Sequence, residues 1–115
     1  MGNVFIATLG VGKGTWGHVG RLISEEDWDR IILISNEWGK ENFTPAKEVD
    51  WVIINVNAGF EVLKNTIKEQ LPSGDLCVNV TSGSGKEHMA LLAALRESNS
   101  NFKVVTLTGE GTKYY

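Results

Sequence analysis

VTSGSGKEHMALLAAL, residues 80–95, decides the fold, because a hydrophobic strand ends there in small polar residues and an alanine-rich helix begins. Ser84 and Glu87 stand in an S-x-x-E capping-box pattern, which places the helix start at Gly85 and lets the Ser84 hydroxyl take up the Glu87 amide. The amides of Gly85 and Lys86 are then left without helical partners. A helix N-terminus carries a partial positive charge of about +0.5 and unpaired N–H groups, so it suits an anion such as a phosphate. Lys86 adds a full charge at the same end. Beyond it, Met89, Ala90, Leu91, Leu92, Ala93, Ala94 and Leu95 set apolar side chains around most of the circumference, so the helix over 87–98 is expected to be largely buried.

Working outward, five segments rich in branched aliphatics are expected as strands: Val4 to Leu9, Arg30 to Ser35, Trp51 to Val56, Leu76 to Val80 and Lys103 to Leu107. Most are continuous apolar runs, which fit strands buried on both faces of a parallel sheet. Phe60, Leu63, Ile67 and Leu71 recur at helical spacing, so residues 58–71 form an amphipathic helix that Pro72 and Gly74 stop. Val19, Leu22 and Ile23 suggest a short helix after Gly17, and Ser24 with Asp27 forms an S-x-x-D pattern that would start another turn. Residues 36–50, with Trp38, Phe43 and Pro45, are expected as a loop that folds over a neighbouring site. This order predicts a single α/β domain over 1–115, Rossmann-like and doubly wound, with a mainly parallel five-stranded sheet and helices on both faces. Ligands of such sheets gather beyond the carboxyl ends of the strands where the strand order reverses, so the loops after Leu9 and Val80 are the candidate site.

The first of those loops reads LGVGKGTWGHVG, residues 9–20, with Gly10, Gly12, Gly14, Gly17 and Gly20 around Lys13, Thr15, Trp16 and His18. Glycine lets a ligand approach the main chain closely. Two motifs compete for these residues. The GKGT end resembles the phosphate loop of nucleoside monophosphate kinases, but Ala7 stands where that loop's leading glycine is required. GKGTWG, residues 12–17, matches G-x-G-x-x-G, with Glu37 twenty residues beyond Gly17 as a ribose-binding acid, yet it puts bulky Trp16 inside the turn.

Composition bounds the partners. Fourteen acidic against eleven basic residues give a net charge of −3, which argues against a duplex-coating protein. Residues 1–24 nevertheless carry Lys13 and Arg21 and no acid, so that edge is locally positive. The single Cys77 forms no internal disulfide and is expected as a small buried hydrophobe in a reducing compartment. No metal-ligand spacing and no paired carboxylates are present, and no cofactor is implied. No apolar run approaches the roughly 20 residues of a membrane span, so a cytoplasmic protein without membrane contact is expected.

Taken together, ATLGVGKGTW and VNVTSGSGKEHMALLAAL resemble the CARF (CRISPR-associated Rossmann fold) family, whose members often carry T-G-G-T-K-x-M-like sequence at the second position. The matching residues are Thr81, Ser82, Gly83, Ser84, Gly85, Lys86 and Met89; Ser82 replaces the usual first glycine and Gly85 is an extra residue before the lysine. The resemblance implies a homodimer that binds cyclic oligoadenylate, the second messenger of type III CRISPR antiviral defence, and a fused or separate effector that hears the signal. It implies that Gly10, Val11, Gly12, Lys13, Thr15, Asn36, Thr81, Ser82, Gly83, Ser84, Gly85 and Lys86 hold the ligand, with Trp16 or Trp38 available to stack on adenine. The family's ring nucleases cleave the same messenger without metal. For that alternative Lys86 would stabilise the developing charge, and His18 and His88 are the proton-transfer candidates. A dinucleotide-binding module is the remaining alternative.

Overall fold

The computed structural model describes residues 3–115. Among the described residues ten strands and α-helices follow one another, with a single 3-10 turn over Lys13–Thr15 ahead of α1: β1 Val4–Thr8, α1 Trp16–Glu25, β2 Arg30–Ser35, α2 Glu37–Asn42, β3 Asp50–Ile53, α3 Phe60–Glu69, β4 Asp75–Asn79, α4 Gly85–Glu97, β5 Asn101–Thr108 and β6 Gly111–Tyr114. The strands form one sheet in the order β3-β2-β1-β4-β5-β6. The first five pair in parallel, with Val4 opposite Arg30 on one side and opposite Leu76 on the other. The chain therefore winds away from β1 in one direction, through β2 and β3, and then returns to lay β4 along the opposite edge. That reversal leaves a crevice between the carboxyl ends of β1 and β4.

Alternation along the strands supplies two separate cores. Val4, Ile6, Ile32, Ile34, Leu76 and Val78 point to one face, where Leu63 and Ile67 of α3 and Leu91 and Leu95 of α4 cover them. Phe5, Ala7, Ile31, Leu33 and Val105 point to the other and meet Trp16, Val19, Leu22 and Ile23 of α1. Trp28 stacks on Phe5 with ring centroids 4.8 Å apart. Cys77 is buried and free, and burial pushes its thiol pKa up.

Several expectations change. A sixth strand, β6, runs antiparallel to β5 from a tight turn that ends at Gly111, whose φ of 103° suits glycine. GTKY is too short and too polar to announce itself as a strand. Residues 37–42 are helical rather than looped, because the Asn36 side chain caps α2 by accepting the Gly39 amide at 2.8 Å. One and a half turns are too few for a periodic pattern. Ser24 starts no new turn: its hydroxyl donates to the Arg21 carbonyl inside α1. α1 itself begins at Trp16, ahead of Gly17. α4 is less buried than its composition suggests, since Met89 is 60% and Leu92 42% exposed.

Candidate functional site

Beyond β1 and β4 lies a cavity of about 660 Å³, lined by Leu9, Gly10, Val11, Gly12, Gly14, Thr15, Asn36, Val56, Thr81, Gly83, Ser84 and Glu87. The two glycine-rich loops touch along its floor. A Cβ on Gly10 would stand 2.7 Å from the Gly83 Cα and 2.8 Å from the Gly83 nitrogen, so only glycine permits this approach. Gly83 in turn has φ of 100°, and a Cβ there would meet the Glu87 carboxylate at 2.8 Å. Both positions are thus glycine for reasons the geometry supplies.

Ser82 joins the loops. Its buried hydroxyl accepts the Gly10 amide at 2.8 Å, and its carbonyl accepts the Thr8 hydroxyl at 2.5 Å and His88 Nε2 at 2.7 Å. A carbonyl only accepts, so His88 carries its proton on Nε2 in this contact. The first loop is held from its other side as well. Ser35 donates its hydroxyl to the Leu9 carbonyl, and Trp16 donates Nε1 to the Gly10 carbonyl, both at 2.8 Å. These tethers fix the main chain of the loop while leaving its glycines open to the cavity.

The second loop ends in the capping box the sequence announces. Ser84 Oγ accepts the Glu87 amide at 3.4 Å, and Glu87 Oε1 accepts the Ser84 amide at 3.1 Å. α4 starts at Gly85, so the amides of Gly85 and Lys86 are the unpaired first-turn donors, and the positive end of the helix faces the rim.

The structure sorts the candidate residues. Gly10, Val11, Gly12, Thr15, Asn36, Thr81, Gly83 and Ser84 line the cavity; Lys13, Ser82, Gly85 and Lys86 do not. Lys86 extends across the rim, where its ammonium donates to the Ala58 carbonyl at 2.6 Å and the Val56 carbonyl at 3.3 Å. Lys13 lies 5.7 Å from the Trp16 ring centroid and 5.6 Å from that of Trp38, a cation–π arrangement beside the cavity. Trp16 is buried and packs against Phe43, whereas Trp38 is 40% exposed. Asn36 spends its side-chain oxygen on the α2 cap. His18 faces β5 instead of the cavity: its Nε2 takes the Leu107 amide at 3.3 Å. Glu37, the acid that a dinucleotide fingerprint requires, sits in the first turn of α2 and is not part of the cavity wall.

Among the described residues no lysine or arginine lines the cavity, so its attraction for anions comes from main-chain amides, the Thr15 and Thr81 hydroxyls and the α4 terminus, with both lysines alongside. The charged side chain on the wall is Glu87. In the sequence Glu87 carries only a capping role, and Val56 stands at the end of an expected strand that stops at Ile53, which leaves Val56 in the loop that lines the cavity. The sign for Glu87 was present: the capping box holds it beside Ser84, so it faces whatever Ser84 faces. Among the described residues, no three His, Cys, Asp or Glu side chains gather as a metal site, and no helix is long and apolar enough to cross a membrane.

No family model and no curated protein matches the sequence. Solved structures do match, among them Enterococcus italicus Csm6 bound to cyclic hexa-2′-fluoro-hexa-dAMP, with a TM-score of 0.61 and 17% identity. The match covers 100% of this chain and 35% of that one, so this chain spans about a third of the Csm6 length. The chain has the Rossmann-like fold of that part of Csm6.

Proposed function

We propose that this chain is a CARF-type sensor domain that binds cyclic oligoadenylate as a homodimer in type III CRISPR antiviral defence. The observation that carries this reading is the contact between the loops after β1 and β4. They meet within van der Waals distance at Gly10 and Gly83 around one cavity whose lining combines glycine main chain with Thr15, Thr81 and Ser84. Phosphates would sit on the amides of the glycine loop and of the first turn of α4. Leu9, Val11 and Val56 offer apolar wall to the bases. The Csm6 structure of like fold holds a ring of six adenine nucleotides, which supports the same ligand class here.

Pairing follows from the symmetry of such a ring, because equivalent nucleotides are bound by equivalent loops from two chains. α4 begins at the cavity rim and carries Met89 and Leu92 on an exposed stripe. Contact between two copies along that stripe brings both cavities to the two-fold axis. Ligand then favours the paired arrangement, and an effector fused to or docked on the sensor reads the shift. The proposed setting is the cytoplasm. The ring-nuclease alternative is less well served, since His18 is engaged with β5 and Lys86 with the Val56 and Ala58 carbonyls.

A melting-temperature panel of cyclic tetra-adenylate, cyclic hexa-adenylate, linear oligoadenylate and NAD tests the reading. Ligand at a hundredfold excess over Kd stabilises the native state by about 2.7 kcal/mol. The cyclic rings are expected to raise the midpoint and NAD to leave it unchanged. A shift with NAD alone would replace the sensor by a dinucleotide module.

A further inference from the structure

Glu87 is the charged group on the cavity wall that phosphate binding leaves without a task. Its side chain belongs to a residue that is only 7% exposed and lines the cavity. Oε1 is occupied by the Ser84 amide. Among the described residues the other carboxylate oxygen has no hydrogen bond, and no sealed side-chain oxygen lacks a partner, so that oxygen keeps solvent access on a residue of the cavity wall. A carboxylate accepts hydrogen bonds and donates none. It repels a phosphate and rewards a hydroxyl. In a ribonucleotide the 2′-hydroxyl sits one carbon from the oxygen that carries the phosphate. An acceptor three residues from the cap, next to the free amides of Gly85 and Lys86, is placed for that hydroxyl when the amides hold the phosphate.

We propose that Glu87 is the specificity-determining residue of this cavity, accepting the ribose 2′-hydroxyl and selecting ribonucleotide rings over rings that lack the donor. The inference rests on the reading of the cavity as a cyclic oligoadenylate site. The ligand side provides the cleaner test. A 2′-fluoro ring, such as the one in the Csm6 structure, keeps the ribose pucker and loses the donor. Wild-type protein is expected to bind cyclic hexa-adenylate at least about tenfold more tightly than its 2′-fluoro counterpart, the scale of one hydrogen bond to a charged group. Glu87→Gln preserves the capping box, because glutamine fills the same role with its carbonyl on the Ser84 amide. Its NH₂ then faces the ligand and offers the hydroxyl oxygen only a neutral hydrogen bond, so the preference for the hydroxyl ring should fall to about threefold or less while the melting temperature stays near that of the wild type.

Equal binding of both rings by the wild type overturns this inference and leaves the sensor reading standing. So does a Glu87→Gln protein that discriminates as strongly as the wild type. Failure of the wild type to bind either ring overturns both. Should Glu87→Gln fold poorly, the comparison of the two rings on the wild type decides alone.

Discussion

Gly10→Ala is the perturbation that probes how the site is assembled. The added Cβ meets main chain rather than a side chain that can turn away, at 2.7 Å from the Gly83 Cα. Ordinary contact begins at 3.4 Å, so the two loops must part to that distance. The Gly10 amide bond to Ser82 Oγ and the Thr8 bond to the Ser82 carbonyl then stretch together. Overpacking of this kind costs about 1–3 kcal/mol. The narrower unfolded ensemble of alanine returns about 0.4–1 kcal/mol of that. A net loss near 1–2 kcal/mol lowers the midpoint of a domain this size by roughly 4–10 °C. Gly12→Ala is the control, since nothing lies within 4 Å of its Cβ and its φ is −79°. That variant should melt with the wild type or slightly above. Differential scanning calorimetry on the three proteins reads both effects. A Gly10→Ala protein as stable as the wild type, or a Gly12→Ala protein as damaged as Gly10→Ala, would falsify the assembly of the cradle described here.

Three further outcomes follow from other parts of the fold. Lys64, buried between α3 and α4, holds Glu61 at 2.8 Å and Glu97 at 2.9 Å, and Lys68 reaches Glu97 at 3.1 Å. The hydrogen bond from Lys64, then that from Lys68, keeps the Glu97 pKa below its ordinary 4.5. A depressed carboxyl contributes stability above the ordinary value and loses it as pH falls through the folded value. Urea midpoints should therefore drop on acidification below pH 4.5 in the wild type and drop less in Glu97→Gln; identical acid limbs would count against the bracket. Burial and then the hydrogen bond to Glu26 push the Tyr114 pKa up to about 12. The folded state favours the neutral phenol, so its contribution is full below pH 10 and fades as pH rises toward 12. A phenolate absorbance step near pH 12 that survives in Tyr114→Phe would contradict the assignment. Replacing Met89 and Leu92 by glutamate should convert the proposed dimer to a monomer in sedimentation velocity, and an unchanged sedimentation coefficient would count against pairing along this stripe.

Hydrophobic pattern carried most of this fold in the sequence. Continuous runs such as FIATL, residues 5–9, and IILIS, residues 31–35, are two-sided strands, and their spacing around amphipathic segments leaves little choice of topology. The capping box at Ser84 and Glu87 was equally plain, because both halves are side-chain chemistry at fixed spacing. What escaped was set by long-range contact. α2 depends on one asparagine cap and on Gly39, where a Cβ would stand 3.2 Å from the Ser35 Cβ; neither gives a periodic signal. β6 exists because β5 offers it an edge, with Val105 opposite Tyr114. The lysines show the same limit at the site. Lys13 and Lys86 are near the cavity in sequence, but nearby rings and carbonyls claim their ammonium groups. Ser82 was assigned to the ligand, and its structural task of joining two loops 72 residues apart is visible only in three dimensions.

Isothermal titration of the intact chain with cyclic hexa-adenylate, followed by chromatography of the ligand, examines the paired cradle most directly. Saturable heat at micromolar or tighter affinity, one ring for every two chains, and a ring recovered unbroken are expected. Absence of heat, or saturation at one ring per chain, would contradict the paired cradle.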